Sequence, residues 1–230
     1  GDRVPTRRVL HAAAGRAAGQ VLAATPQRKD PRDVLVNKWK ATLSKLPPLA
    51  RIGTSSPRRA AQLLALRPDQ RVLDIRGNVG TRINKIRGND YDGVILAAAG
   101  LIRLRQEEWI NEYFTPETFT PEVGQGTLAI ETRSGDKQVL DIVSKIDHKP
   151  SNIALSAERA FLSVFEGGCE IPITAYAQVN RHNLHILAMA AKVDGSKIFR
   201  TQVQTDVSDP KSSGKQAGEA LLKAGASKII

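Results

Sequence analysis

Four arginines stand in two short loops of this chain. The first loop, Thr54-Ser55-Ser56-Pro57-Arg58-Arg59, follows the apolar stretch ending at Gly53, and the second, Arg76-Gly77-Asn78-Val79-Gly80-Thr81-Arg82, follows Val72-Leu73-Asp74-Ile75. A guanidinium is a permanently charged planar fork that matches carboxylate or phosphate oxygens two at a time. Ser55 or Ser56 suits an N-cap, and Pro57 suits a first helical position, where the amide hydrogen it lacks would be unpaired anyway. Free amides at such a helix start add to the positive field. Arg58, Arg59, Arg76 and Arg82 together therefore call for a ligand carrying several carboxylates or phosphates. The other reactive candidate is the single cysteine, Cys169, which follows Glu166-Gly167-Gly168. Composition alone favours a small buried thiol there, while the two glycines leave room for something bulky. His11 has no ligand spacing around it and reads as a surface residue.

The elements that must hold these loops lie between Arg51 and Leu104. A strand end at 50–53, a helix over Pro57–Leu66, a strand over Val72–Ile75, a helix over Val79–Arg87 and a buried strand over Gly93–Ala98 alternate as in βαβ units, which predicts a parallel sheet. Each arginine loop then lies where a strand's carboxyl end meets a helix start, the place where open α/β sheets bind ligands. Ala97-Ala98-Ala99-Gly100 ends a strand without bulk, so a ligand or another backbone can come close. Upstream, Pro31 biases Asp30 towards extended backbone, so 29–33 reads as a crossover. A short helix over Lys38–Ser44, closed by Pro47-Pro48, comes next. Downstream, the pattern gives a helix from Arg103 continued over Glu107–Tyr113, a strand over Thr127–Thr132, and amphipathic helices over Asp136–Lys145 and Asn152–Phe165. Three strand-like runs, Ile171–Val179, Leu184–Val193 and Ile198–Thr205, precede a helix over Ser212–Ala224, which together suggest an α+β unit with an antiparallel sheet. Residues 1–18, rich in alanine and arginine, read as a helix over Arg7–Ala18 or a loose end.

The net charge of +11 is concentrated in the first half: +7 over residues 1–50, +7 over 51–105 and −3 over 106–230. A basic half raises the question of nucleic acid. Aromatic residues make up 4% of the chain, too few for base-stacking platforms, and the basic residues punctuate loops instead of lining one helix face, so a small polyanion is the better partner. A dinucleotide site is weak, because neither loop gives G-x-G-x-x-G. No apolar run approaches the ~20 residues of a membrane span, and one cysteine forms no internal disulfide, which suits a reducing, cytoplasmic setting.

GTSSPRRAAQL, IRGNVGTR and YDGVILAAAGLIRL resemble the middle domain of the hydroxymethylbilane synthase (porphobilinogen deaminase) family, and VGQGTLAIE and AERAFLSVFEGGCEIPITAYA resemble two further blocks of that family in the right order. Pro57 stands where the family commonly has leucine. The resemblance implies a transferase of tetrapyrrole and haem biosynthesis that condenses four porphobilinogen units into hydroxymethylbilane. It implies a dipyrromethane primer held by a thioether at Cys169, which reverses the inert reading of that thiol. Loss of ammonia from porphobilinogen leaves an electrophile that a thiolate can also capture. By the same resemblance Ser56, Arg58, Arg59 and Asn78 hold cofactor carboxylates, and Arg76 and Arg82 hold those of the substrate. No metal is implied.

The implied fold is α/β: two periplasmic-binding-protein-like lobes of parallel sheet, the first incomplete, plus a small C-terminal α+β domain with a three-stranded antiparallel sheet. Residues 1–32 and 121–146 make the remnant of domain 1 (1–18 unassigned), 33–120 domain 2 and 147–230 domain 3. The family's catalytic aspartate lies in a Lys-Asp-Val-Pro motif; here Asp2-Arg3-Val4-Pro5 places Arg3 at that position, so no catalytic residue is carried over. The resemblance implies a monomer, whereas an incomplete first sheet would favour dimers or aggregation through its unpaired edge. The rival readings are a truncated, inactive family member and an anion-binding module.

Overall fold

The computed structural model describes residues 19–165 and 172–229. The chain enters through Gln20–Ala24 (β1) and crosses to Asp33–Asn37 (β2), all five of whose residues are buried. After Pro31 the run Asp33-Val34-Leu35-Val36 alternates sides in the way a strand must. Val34 and Val36 face a core with Ile75, Ile83, Val94 and Leu96, while Leu35 faces Ile52, Leu63, Ile95, Phe114 and Phe119 on the other side. Arg51–Gly53 (β3), the helix Pro57–Leu66 (α1), Arg71–Leu73 (β4), the helix Val79–Arg87 (α2) and Gly93–Ala97 (β5) follow, then a one-turn helix Ala98–Arg103 (α3) and the short strand Glu112–Tyr113 (β6). The predicted bounds of α1 and α2 agree with the structure because both ends are chemically marked. Ser56 and Asn78 cap the two helices, and Pro57 is the first residue of α1.

The sheet itself is mixed, in the order β4-β3-β5-β2-β6. The pairings of β3 with β4 and with β5 are parallel, as the βαβ pattern requires, but β2 runs antiparallel to both β5 and β6. The purely parallel expectation misses this because β2 comes in from the crossover and not from a βα unit. Three local expectations also change. Lys38–Ser44 is no α-helix; Asn37 folds back instead, its side chain accepting from the Trp39 and Ala41 amides, and a single 3-10 turn forms at Leu43–Lys45. Ala98 starts α3 instead of ending the strand. Glu107–Tyr113 breaks into a 3-10 turn and β6, whose pairing with Val34 and Leu35 outweighs local helix preference.

The chain then returns to pair Ile130–Arg133 (β7) antiparallel to β1, a two-stranded ribbon backed by the helix Lys137–Ser144 (α4), capped by Asp136. Among the described residues this sheet has two strands. The helix Lys149–Leu162 (α5), strands Ile173–Asn180 (β8), Asn183–Ala191 (β9) and Ile198–Asp206 (β10), and the helix Pro210–Lys223 (α6) form the expected antiparallel three-stranded unit, ordered β10-β9-β8. α5 and α6 pack closely at Gly214, where a Cβ would lie 2.1 Å from the Ala157 carbonyl oxygen. The opposite face of β9 packs on α1, with Met189 and Ala191 against Ala61. Thus α1, which carries two of the rim arginines, is held between the large sheet and the C-terminal unit.

Candidate functional site

The parallel pairing of β3 and β4 sets the two arginine loops side by side on one edge of the large sheet. The Thr54 amide donates to the Leu73 carbonyl at 3.0 Å, and the Ser55 hydroxyl donates to the Ile75 carbonyl at 3.0 Å. At the second loop the Asn78 side chain accepts from the Thr81 amide (2.9 Å) and hydroxyl (3.0 Å), fixing the start of α2. Gly77 has φ +120°, a left-handed conformation that L side chains resist, and lets the loop turn sharply ahead of the cap. Arg82 is half-buried and its Nε donates to the Gly77 carbonyl at 2.9 Å. Arg76 is the most open of the four, its side chain 83% exposed, with a 3.2 Å contact to the exposed Asp74. Such a surface pair contributes little and exchanges readily for another anion.

Arg58 and Arg59 are different. Because β2 runs antiparallel, its first residue, Asp33, lies at this same edge, fully buried. Asp33 offers one carboxylate oxygen to each arginine: Arg58 Nη1 donates to Oδ2 at 2.7 Å, and Arg59 Nε to Oδ1 at 2.9 Å. Arg58 also donates to the Thr120 carbonyl (2.7 Å) and to Glu122 (3.2 Å), and Arg59 to Gln125 (3.2 Å). Burial pushes the Asp33 carboxyl up, but the two guanidinium charges outweigh it and hold it below its ordinary value. Burial likewise lowers the charged form of Arg58, which Asp33 and Glu122 more than restore; in Arg59 burial prevails and its pKa falls. The four expected ligand arginines thus form two outward and two inward donors.

Sequence reasoning missed Asp33, Glu122 and Gln125. A signal was present at Asp33, an acid heading an otherwise apolar run, since a carboxylate in a central strand must be paired. Glu158 was missed too. It is fully buried on α5, where it pairs with Arg28 and accepts from the Gly124 amide (2.6 Å) and the Ala177 amide (2.8 Å). It thereby ties both crossover segments to β8. Cys169 and the Asp2–Pro5 stretch lie outside the described residues, as does the helix expected over Arg7–Ala18.

Residues 13–141 match the family model described as "Porphobilinogen deaminase, dipyromethane cofactor binding domain", and residues 153–223 match "Porphobilinogen deaminase, C-terminal domain". The chain belongs to the porphobilinogen deaminase family. Curated relatives of that name share 48% identity in Alkaliphilus metalliredigens, 45% in Roseiflexus castenholzii and 43% in Brevibacillus brevis, each over 91–92% of this chain. The chain spans about two thirds of the length of these relatives, 66%, 69% and 68% respectively. Overlap with solved structures is looser. A Salmonella typhimurium arginine-specific periplasmic binding protein gives TM-score 0.34 at 16% identity over 54% of this chain and 55% of that one. A Pseudomonas putida TRAP periplasmic solute binding protein gives 0.36 at 13% identity over 60% and 43%. Both arginine loops and Asp33 fall inside the cofactor-binding match of the porphobilinogen deaminase family, and Cys169 falls inside its C-terminal match.

Proposed function

We propose that this chain works in tetrapyrrole biosynthesis as a hydroxymethylbilane synthase, condensing porphobilinogen units on a dipyrromethane primer attached through Cys169. The single observation that carries this reading is the rim of cationic and helix-start donors inside a cofactor-binding domain of that family. The donor set fits the group, since every pyrrole unit brings two carboxylates and the rim offers forks and free amides for them. When bound, dipyrromethane supplies the pyrrole ring that is extended. Ser56, Arg58, Arg59 and Asn78 hold its carboxylates; Arg58 reaches one by giving up Glu122, which is one-third exposed, while keeping Asp33. Arg76, open to solvent, and the half-buried Arg82 take those of the incoming substrate. Asp33 anchors the Arg58 and Arg59 guanidiniums beside the helix start, which limits how far they must move to meet a ligand.

The organisation behind this is a remnant of domain 1 over 1–32 and 121–146, a domain 2 over 33–120 and a domain 3 over 147–230, working as a soluble cytoplasmic monomer. Among the described residues no helix is long and apolar enough to cross a membrane. The decisive experiment is an intact-protein mass spectrum of the purified chain and of Cys169→Ser, paired with incubation in porphobilinogen. A dipyrromethane adduct present in the first and absent in the second, with turnover, is the expected result. An unmodified mass without product would leave an inactive member of the family.

A further inference from the structure

A second, unassigned cleft of about 690 Å³, none of whose lining residues belongs to the arginine loops, lies between β1, α5 and α6. Its walls are basic, and among the described residues its lining includes no carboxylate. From α5, Asn152, Ser156 and Arg159 face it, spaced four and three apart as residues on one helix face must be. From α6, Lys211 and Lys215 face it one turn apart, both exposed, and neither has an ion-pair partner among the described residues. Lys211 sits in the first turn of a fourteen-residue helix whose start is already capped by the Asp209 carboxylate, so the positive charge on this wall comes from the lysines themselves. Leu22 of β1 and Leu155 of α5 supply an apolar floor.

We propose that this cleft is a binding site for an organic polycarboxylate with an apolar body, separate from the arginine rim. Two points of chemistry select that class. The volume lies in the range of small-molecule sites and far exceeds what inorganic phosphate fills. An apolar floor beneath a basic wall suits a flat ring bearing carboxylates, which buries its face on the leucines while its edges meet the two ammonium groups and the serine hydroxyl. Residues 20–24 and α5 both adjoin the crossover, through the Thr25 amide on Asp147 (2.7 Å) and the His148 amide on the Thr25 carbonyl (2.8 Å). An occupant would therefore brace the ribbon of β1 and β7 against the C-terminal unit.

The test is a calorimetric titration of the full chain with benzene-1,3,5-tricarboxylate at fixed ionic strength, with inorganic phosphate as the second arm. Lys211→Ser/Lys215→Ser and Arg76→Ser/Arg82→Ser are compared with the parent. The lysine variant should lose at least tenfold in affinity for one class of site while the rim variant keeps it. In the parent, amide resonances of Ser156 and Ser163 should shift with the same saturation curve. Unchanged binding in the lysine variant, or phosphate binding as tightly as the tricarboxylate, would overturn the proposal. Loss of binding in the rim variant alone would bear on the arginine loops and count against a second site.

Discussion

At the residue scale, the outward and inward arginines should answer substitution differently. Arg82→Ala removes a half-buried donor at the rim whose charged hydrogen bond is worth roughly 1.5–3 kcal/mol. It should lower kcat/KM for porphobilinogen by one to two orders of magnitude and leave the urea midpoint unchanged; an unfolded variant would count against the assignment. Asp33→Asn does the reverse. It strands two buried guanidiniums and should cost about 3–5 kcal/mol in a urea titration. Because the folded Asp33 carboxyl lies below the unfolded value of about 3.9, its stabilisation is complete above that pH and is lost as pH falls through the folded value. The parent should therefore lose stability steeply below about pH 4, and Asp33→Asn should lose less over the same interval. The arginine loops were legible from sequence because caps and proline are local signals. Asp33 was not recognised as their partner, since its contacts with Arg58 and Arg59 span 25 and 26 residues.

At the scale of elements, chain direction was the part hidden in the residues. Local pattern gives α1, α2, α6 and the three C-terminal strands closely, because each has its own period and its own cap: Ser56, Asn78 and Asp209. Nothing local says that β2 runs against its neighbours; that follows from where the crossover delivers it. The stretch at 107–113 misled for a related reason, as a strand of two residues has no period to read and exists by its pairing with β2. The contact of α5 with α6 allows a sharp prediction. Gly214→Ala drives a methyl into the Ala157 carbonyl with backbone on both sides, and it should destabilise by about 1–3 kcal/mol as overpacking does. A urea unfolding curve checks it, with Gly135→Ala, where nothing lies within 4 Å, as the permissive control.

For the whole molecule, stability is unevenly distributed. The C-terminal sheet has long registers and a continuous core, while β1 and β7 form a ribbon of two strands beside α4, whose Val139 and Ile142 are exposed. Two-stranded ribbons hold poorly by themselves. Amides of β1 and β7 should exchange with deuterated solvent well before those of β9, and equal protection would mean that the ribbon is braced by contacts outside itself.

Asp33 has one more consequence. It is the residue at which the crossover ends and β2 begins, and it grips both inward guanidiniums at once. Any twist of the strap over residues 25–32 is therefore delivered to the forks through a single covalent step. Opening or narrowing the mouth and re-aiming its charges are then one motion, governed by the same rotation.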